Sequence, residues 1–312
     1  MLELNKIYCG DCLEVFKAFP DESINCVVTS PPYWALRDYG VAGQLGLEPT
    51  FQEYITKLCD IFDEVKRVLK KDGTCWVNMG DTYNAGGNYR GKEMDETCKE
   101  VYSRKDFAGC QNDKKAQGIQ DKCLCQIPSR FAIEMTNRGW ILRNEIIWYK
   151  PNAMPSSVTD RFTVDFEKVF FFVKNKKYWF EQQLEKSIWA EKDKRSLIKG
   201  GVMSGGKTAI GGYATDRVAY TEGGMKNKRA VWTISTHGFK EAHFATYPET
   251  LIEPMIKAGC PIGGIVLDPF MGAGTTGVVS KKQDKNYVGI ELNPEYCKIA
   301  EERIKNIPTK LL

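Results

Sequence analysis

Val266-Leu267-Asp268-Pro269-Phe270-Met271-Gly272-Ala273-Gly274-Thr275-Thr276 is the stretch that decides the fold. An apolar run ends in an acid, passes through a loop with glycines two apart, and opens a helix. In an open α/β sheet, ligands bind at such carboxyl ends of strands, where backbone amides and a helix N-terminus face them. Gly272 and Gly274 carry no Cβ, so the backbone can approach a ligand closely. The third glycine of a dinucleotide fingerprint is absent, as is the Lys-Ser/Thr of a P-loop, which points away from a phosphate site. About twenty residues on, Tyr287-Val288-Gly289-Ile290-Glu291 is a second strand ending in an acid, where a carboxylate accepts from the ribose of a nucleoside-type cofactor.

Working outward, strands are expected at 265–267 and 287–291 and helices at 275–282 and 294–307. Thr246 and Glu249 can cap a helix that begins at Pro248 and ends by Gly259. Upstream, Phe51, Tyr54, Ile55, Leu58, Ile61, Phe62, Val65, Val68 and Leu69 recur at helical spacing. Thr50 with Glu53 makes a capping box for that helix, 51–69, and Gly73 suits its end. Strands follow at 74–79, 140–149 and 169–173, with a short helix after Ser129 that stops at Gly139. Strands alternating with helices imply an α/β fold, a mostly parallel twisted sheet covered by helices on both faces. Two stretches break the rhythm, the polar 84–126 and the glycine-rich 184–230.

The 312 residues carry 44 Lys and Arg against 40 Asp and Glu, with 42% hydrophobic residues, which excludes a disordered or fibrous chain. No run of apolar residues is long enough to span a membrane, and MLELNKIYCGDC does not read as a signal peptide. Eleven scattered cysteines read as reduced thiols, so a cytoplasmic location is expected. Cys9 and Cys12 make a C-x-x-C, for which redox chemistry is one reading; Cys98, Cys110, Cys123 and Cys125 could be called a zinc site, but they lack the spacing of a knuckle and no metal is expected. The net charge of +4 is unevenly placed. Between Glu185 and Arg229 ten basic residues face five acidic ones, an excess of five. A basic, glycine-rich segment suits a polyanion such as nucleic acid.

A second constellation is Val27-Val28-Thr29-Ser30-Pro31-Pro32-Tyr33-Trp34. A strand runs into two prolines, each with fixed φ and no N–H, so the loop is rigid and its carbonyls are free to accept. Two aromatics then offer a stacking face. Acceptors beside a π platform are what holding the exocyclic amino group of a flipped base requires. That nitrogen is a poor nucleophile because its lone pair is delocalised into the ring. Acceptors that draw on its N–H protons restore nucleophilicity and alignment toward a methyl donor.

Together the two motifs resemble those of the S-adenosylmethionine-dependent DNA amino-methyltransferases, which act on cytosine N4 or adenine N6. Ser30-Pro31-Pro32-Tyr33 stands where that family has its catalytic loop, and Phe270-Met271-Gly272-Ala273-Gly274 where it has its cofactor loop. The catalytic loop comes first, an order similar to the permuted β group, whose target-recognition region lies between the two. The resemblance implies a Rossmann-like methyltransferase core formed by 1–183 and 231–312, with 84–126 a mobile loop insertion and 184–230 the target-recognition region. It also implies S-adenosyl-L-methionine as cofactor and double-stranded DNA as partner. A homodimer and a companion restriction endonuclease both fit the resemblance, and the sequence decides neither.

Carried over residue by residue, the resemblance assigns the cofactor to Asp268, Pro269, Phe270, Gly272, Gly274 and Thr275, with Glu291 on the ribose and Asp11 at the adenine end. Ala245 and Thr246, in the segment that flanks the methionine moiety, complete the set. Ser30 and the carbonyl of Pro31 accept from the target amino group, Pro32 stiffens the loop, and Tyr33 stacks on the base. Trp34, Arg37, Lys150 and Arg161 are expected toward the DNA, joined by Lys226, Lys228 and Arg229. Asp11 and Thr275 also suit helix starts, Ser30 a turn, and Trp34 the core. A serine at the head of the loop favours cytosine N4 over adenine N6 by resemblance. The same chemistry on RNA or a protein glutamine is disfavoured by the basic insertion, and intact motifs disfavour a binding-only module.

Overall fold

A computed structural model describes residues 2–36, 38–84, 118–186, 225–236 and 247–308. The chain divides into two compact units, Met1–Glu181 with Ala230–Leu312, and Gln182–Arg229.

The larger unit holds an eight-stranded sheet and six helices among the described residues. The strands are β1 (Lys6–Cys9), β2 (Ile24–Thr29), β3 (Leu69–Met79), β4 (Ile141–Tyr149), β5 (Phe166–Val173), β8 (Val231–Thr233), β9 (Ile265–Asp268) and β10 (Asn286–Glu291). The helices are α1 (Cys12–Phe16), α2 (Phe51–Val68), α3 (Ile127–Asn137), α4 (Glu249–Gly259), α5 (Thr275–Lys282) and α6 (Pro294–Lys305). The sheet order is β1-β10-β9-β2-β3-β5-β4-β8. All neighbours run parallel except β5, which is antiparallel to both β3 and β4. In the smaller unit β6 (Leu184–Lys186) pairs antiparallel with β7 (Met225–Asn227).

Central strands read as near-continuous apolar runs because both faces are covered. The period-2 alternation then sorts their side chains. Val27, Cys75, Val77, Phe170 and Phe172 pack with α2 and α3 through Leu58, Phe62 and Phe131. Cys26, Val28, Trp76, Val169 and Phe171 face the other way, against Leu251, Ile252, Met255 and Ile256 of α4. Trp76 and Phe171 are register partners and stack with ring centres 4.0 Å apart.

Helix starts follow the capping signals in part. Thr50 Oγ1 accepts the Glu53 amide at 3.2 Å. The end of α2 differs from expectation, because Leu69 is already extended and pairs with Ile24 in β3. Gly73 lies within that strand, where a Cβ would come within 2.6 Å of the Leu69 side chain, so it serves packing and not a helix cap. For α4 the cap position is Pro248, with no side-chain cap; Thr246 lies outside the described residues. Of 84–126, only Asn84 and residues 118–126 are described, and Asn84 Nδ2 joins the two ends by donating to the Ile119 carbonyl at 2.7 Å.

The connection β9–α5–β10 leaves on one side of β9, and β2–α2–β3 on the other side of β2. Between β9 and β2 the winding reverses, which opens a crevice at their carboxyl ends. Both motifs from the sequence sit on that edge.

Candidate active site

Three strand ends build the site. At the end of β9, Asp268 is fully buried and accepts two hydrogen bonds on each oxygen. Thr29 Oγ1 (2.6 Å) and the Phe270 amide (3.0 Å) donate to Oδ1, while Tyr247 (2.9 Å) and Thr276 Oγ1 (2.6 Å) donate to Oδ2. Burial pushes its carboxyl above the usual range, and these donors pull against that rise. Asp268 was expected in the cofactor pocket. Its acceptor capacity is used in holding the loops, and it is not among the residues that line the cleft.

The glycine loop is fixed by Met271 N–H to the Ile290 carbonyl (2.9 Å) and by Gly272 N–H to Glu291 Oε2 (2.8 Å). Both glycines are left-handed, at φ +51° and +82°. Gly272 lines the cleft, as expected. Gly274 does not; a Cβ there would sit 2.7 Å from Ala300 Cβ of α6, so its role is close helix packing. Glu291 ends β10 and takes the amides of Gly272 and Asn293 (2.8 Å) while still facing the cleft. Burial pushes its carboxyl upward, with those two amides opposing. A half-satisfied carboxylate beside an open left-handed glycine fits a ribose diol.

At the end of β2, Ser30, Pro31, Pro32 and Tyr33 all line the same cleft as Pro269, Phe270, Gly272 and Thr275. The cleft has a volume of about 740 Å³, room for a nucleoside cofactor together with a base. Tyr54 donates to the Pro32 carbonyl at 2.9 Å, and no donor among the described residues reaches that of Pro31. The Tyr33 ring lies against Gly80, where a Cβ would come within 2.6 Å of it. Its hydroxyl donates to Glu167 Oε2 at 2.7 Å and lies 3.3 Å from Asn78 Oδ1. Asp11 also lines the cleft, and its Oδ1 caps α1 through the Leu13 (2.9 Å) and Glu14 (3.2 Å) amides.

The residues expected toward DNA divide. Trp34 is corrected to a core residue: it is 3% exposed, its Nε1 donates to the Glu48 carbonyl at 3.0 Å, and its ring meets Phe51 edge-on. Lys150 lines the cleft, but its ammonium pairs with Glu167 Oε1 and lies 4.3 Å from the centre of the Trp148 ring. Arg161 is exposed and stacks on Tyr83 at 3.8 Å. In the smaller unit, Lys226 (3.4 Å) and Arg229 (2.7 Å) both pair with Glu185, and Lys228 is exposed. Arg37, Ala245 and Thr246 lie outside the described residues. The Cys12 thiol is pushed up to about 12 by burial and by neighbouring Asp11, which opposes redox use of the C-x-x-C. Sequence reasoning missed Asn78 and Glu167, each hidden at the polar end of an apolar strand, and Tyr247 as the partner of Asp268.

A family model described as DNA methylase, for the N6/N4 methyltransferases, matches residues 24–302. The chain belongs to the N6/N4 DNA methylase family. It is similar to the Type II methyltransferase M.Cfr9I of Citrobacter freundii, with 40% identity over all of this chain and 92% of that protein. M.SmaI of Serratia marcescens is also 40% identical, over 96% of this chain and 90% of that one. Among solved structures, the fold matches the PvuII cytosine-N4-specific DNA methyltransferase with a TM-score of 0.62 at 20% identity, covering 98% and 92% of the two chains. A putative DNA modification methylase from Thermus thermophilus, complexed with S-adenosyl-L-methionine, matches at 0.58 and 21% identity over 97% and 95%. The mostly parallel, twisted sheet with helices on both faces expected from the sequence is the sheet observed. No helix among the described residues is long and apolar enough to cross a membrane.

Proposed function

We propose that this DNA methylase modifies cytosine N4 within a short sequence of double-stranded DNA, acting on a base turned out of the helix. The observation that carries the reading is Ser30 at the head of the rigid loop, beside the Pro31 carbonyl, in the cleft that also holds the glycine loop. Those two oxygens accept the amino protons, and the Tyr33 ring stacks on the base. Phe270, Gly272, Thr275 and Glu291 hold the cofactor, which supplies an electrophilic methyl. A base inside a duplex cannot reach a cleft at a strand edge, which supports extrusion.

Residues 184–230 are assigned to target recognition, with Lys226, Lys228 and Arg229 toward phosphates. The relatives are named Type II methyltransferases, and a companion restriction endonuclease with the same recognition sequence is expected alongside a cytoplasmic enzyme. The deciding experiment is mass spectrometry of nucleosides from DNA methylated by the pure enzyme, with modified-base sequencing of the same DNA. N4-methylcytosine at one short motif is expected; N6-methyladenine would overturn the choice of base.

A further inference from the structure

Stacking on a base needs only the ring of Tyr33, yet its hydroxyl is the most engaged group in the loop. Ser30 Oγ donates to it at 3.5 Å, and it donates in turn to Glu167 Oε2 at 2.7 Å. The two O–H bonds therefore point the same way, out of the loop and toward a carboxylate, leaving Ser30 lone pairs to accept from elsewhere. The other Glu167 oxygen pairs with Lys150, which lies over Trp148. Both partners of that ion pair keep less than a fifth of their side-chain surface in solvent. Such a pair is costly to desolvate and contributes little stability, so its position in the cleft calls for another reason.

We propose that Ser30, Tyr33 and Glu167 form the path by which the target amino group loses its proton. The proposal rests on the reading above that this group is delivered to Ser30. S-adenosylmethionine, when bound, would supply a sulfonium methyl, the C–S bond pair going to sulfur as the amino lone pair forms the new N–C bond. The nitrogen is then cationic and must lose one proton. Its N–H bond breaks toward Ser30 Oγ, the hydrogen of Ser30 passes to the Tyr33 oxygen, and that of Tyr33 passes to Glu167 Oε2. Both hydroxyls end neutral with their directions reversed, and Glu167 ends as a carboxylic acid that returns its proton to solvent and regains Lys150. Burial and the Glu167 charge hold the Tyr33 phenol well above its ordinary value, so no tyrosinate is formed and each hydroxyl gains a proton as it loses one. The 3.5 Å step is long for O–H···O, and such hydrogen bonds tighten once substrate is bound.

The test is single-turnover methylation, with labelled methyl donor, of DNA that the native enzyme modifies. Tyr33→Phe keeps the ring and removes the path. Glu167→Gln keeps an oxygen for the phenol and removes the proton acceptor. Each is expected to slow methyl transfer about 10²-fold, with calorimetric affinity for S-adenosylmethionine unchanged. The double variant is expected to be no slower than the slower single one, because both interrupt one path. Added formate is expected to restore part of the rate of Glu167→Ala. A rate within about twofold of native for either Tyr33→Phe or Glu167→Gln would overturn the path, as would Glu167→Ala without rescue by formate. If the native enzyme itself left amino nitrogens unmethylated, the functional reading would fail instead.

Discussion

Thr29 Oγ1 donates to Asp268 Oδ1 at 2.6 Å, a bond between residues 239 apart in the chain. It ties the end of β2, which leads into Ser30–Tyr33, to the end of β9, which leads into Phe270–Gly272. The second Asp268 oxygen gathers Tyr247 and Thr276. One buried carboxylate thus sets the spacing between the loop proposed to hold the base and the loop proposed to hold the methyl donor.

Replacing that carboxylate tests its role. Asp268→Ala leaves Thr29, Tyr247, Thr276 and the Phe270 amide without their acceptor, and buried donors left unpaired cost about 1–3 kcal/mol each before relaxation. We expect a loss of about 4 kcal/mol in urea unfolding, together with weaker S-adenosylmethionine binding. A variant as stable as the native chain would show that the network contributes nothing.

With Glu291 proposed on the ribose, its raised pKa should tie cofactor binding to pH. Its folded pKa lies above the ordinary value, as do those of Asp268 and Asp81, each because of burial. The ligand-free fold then binds protons more readily than the unfolded chain, so these groups lower stability as pH rises through the interval between the ordinary and raised values. Glu291→Gln is accordingly expected to be at least as stable as native at neutral pH. It should bind S-adenosylmethionine about 10- to 100-fold more weakly, the worth of a charged hydrogen bond. Native affinity should fall as pH drops through the raised pKa, while that of the variant stays flat. Calorimetry across pH measures both, and an equally steep dependence in the variant would remove Glu291 from the ribose.

Trp34 separates core from interface. As a 3% exposed residue packed on Phe51, its change to Ala should cost about 3–5 kcal/mol in chemical denaturation. The salt dependence of DNA binding should stay as it was. A reduced slope in a folded Trp34→Ala protein would return this residue to the DNA face.

β7 and the two residues that follow it carry the basic residues expected at phosphates. Changing Lys226, Lys228 and Arg229 to Gln should weaken DNA binding and lower the slope of log K against log salt by about 0.9 for each phosphate no longer neutralised. Glu185→Gln removes the acid that Lys226 and Arg229 share, and is expected to tighten binding at low salt. Affinity unchanged in both proteins would move the recognition surface elsewhere.

Gly274 is the tighter of the two loop glycines. Gly274→Ala places a methyl 2.7 Å from Ala300 Cβ at a left-handed φ of +82°. Strain and overpacking together should cost about 2–4 kcal/mol. Gly272→Ala meets only the Phe270 carbonyl, at 3.9 Å, at its own left-handed φ, so its expected effect is on cofactor affinity more than on packing. Thermal unfolding of the two variants, compared with and without S-adenosylmethionine, distinguishes them.

The sequence by itself determined the layers of this protein, because apolar period and strand–acid–glycine–helix order depend on neighbours a few residues apart. Ser30-Pro31-Pro32-Tyr33 and Phe270-Met271-Gly272 were legible for the same reason, since proline and glycine act on their own backbone. Only the tertiary structure decided what each polar group does. Asp268 and Glu291 both end buried strands, yet one is consumed by donors from β2, α5 and the segment before α4, while the other keeps lone pairs toward the cleft. Glu167 and Asn78 gain meaning only when antiparallel β5 lies beside β3 and brings them to Tyr33. Trp34 follows an exposed-looking loop but is covered by α2. Burial, and therefore the choice among several hydrogen-bonding fates, is set by chain segments that arrive from far away, and no local pattern encodes which of them arrive.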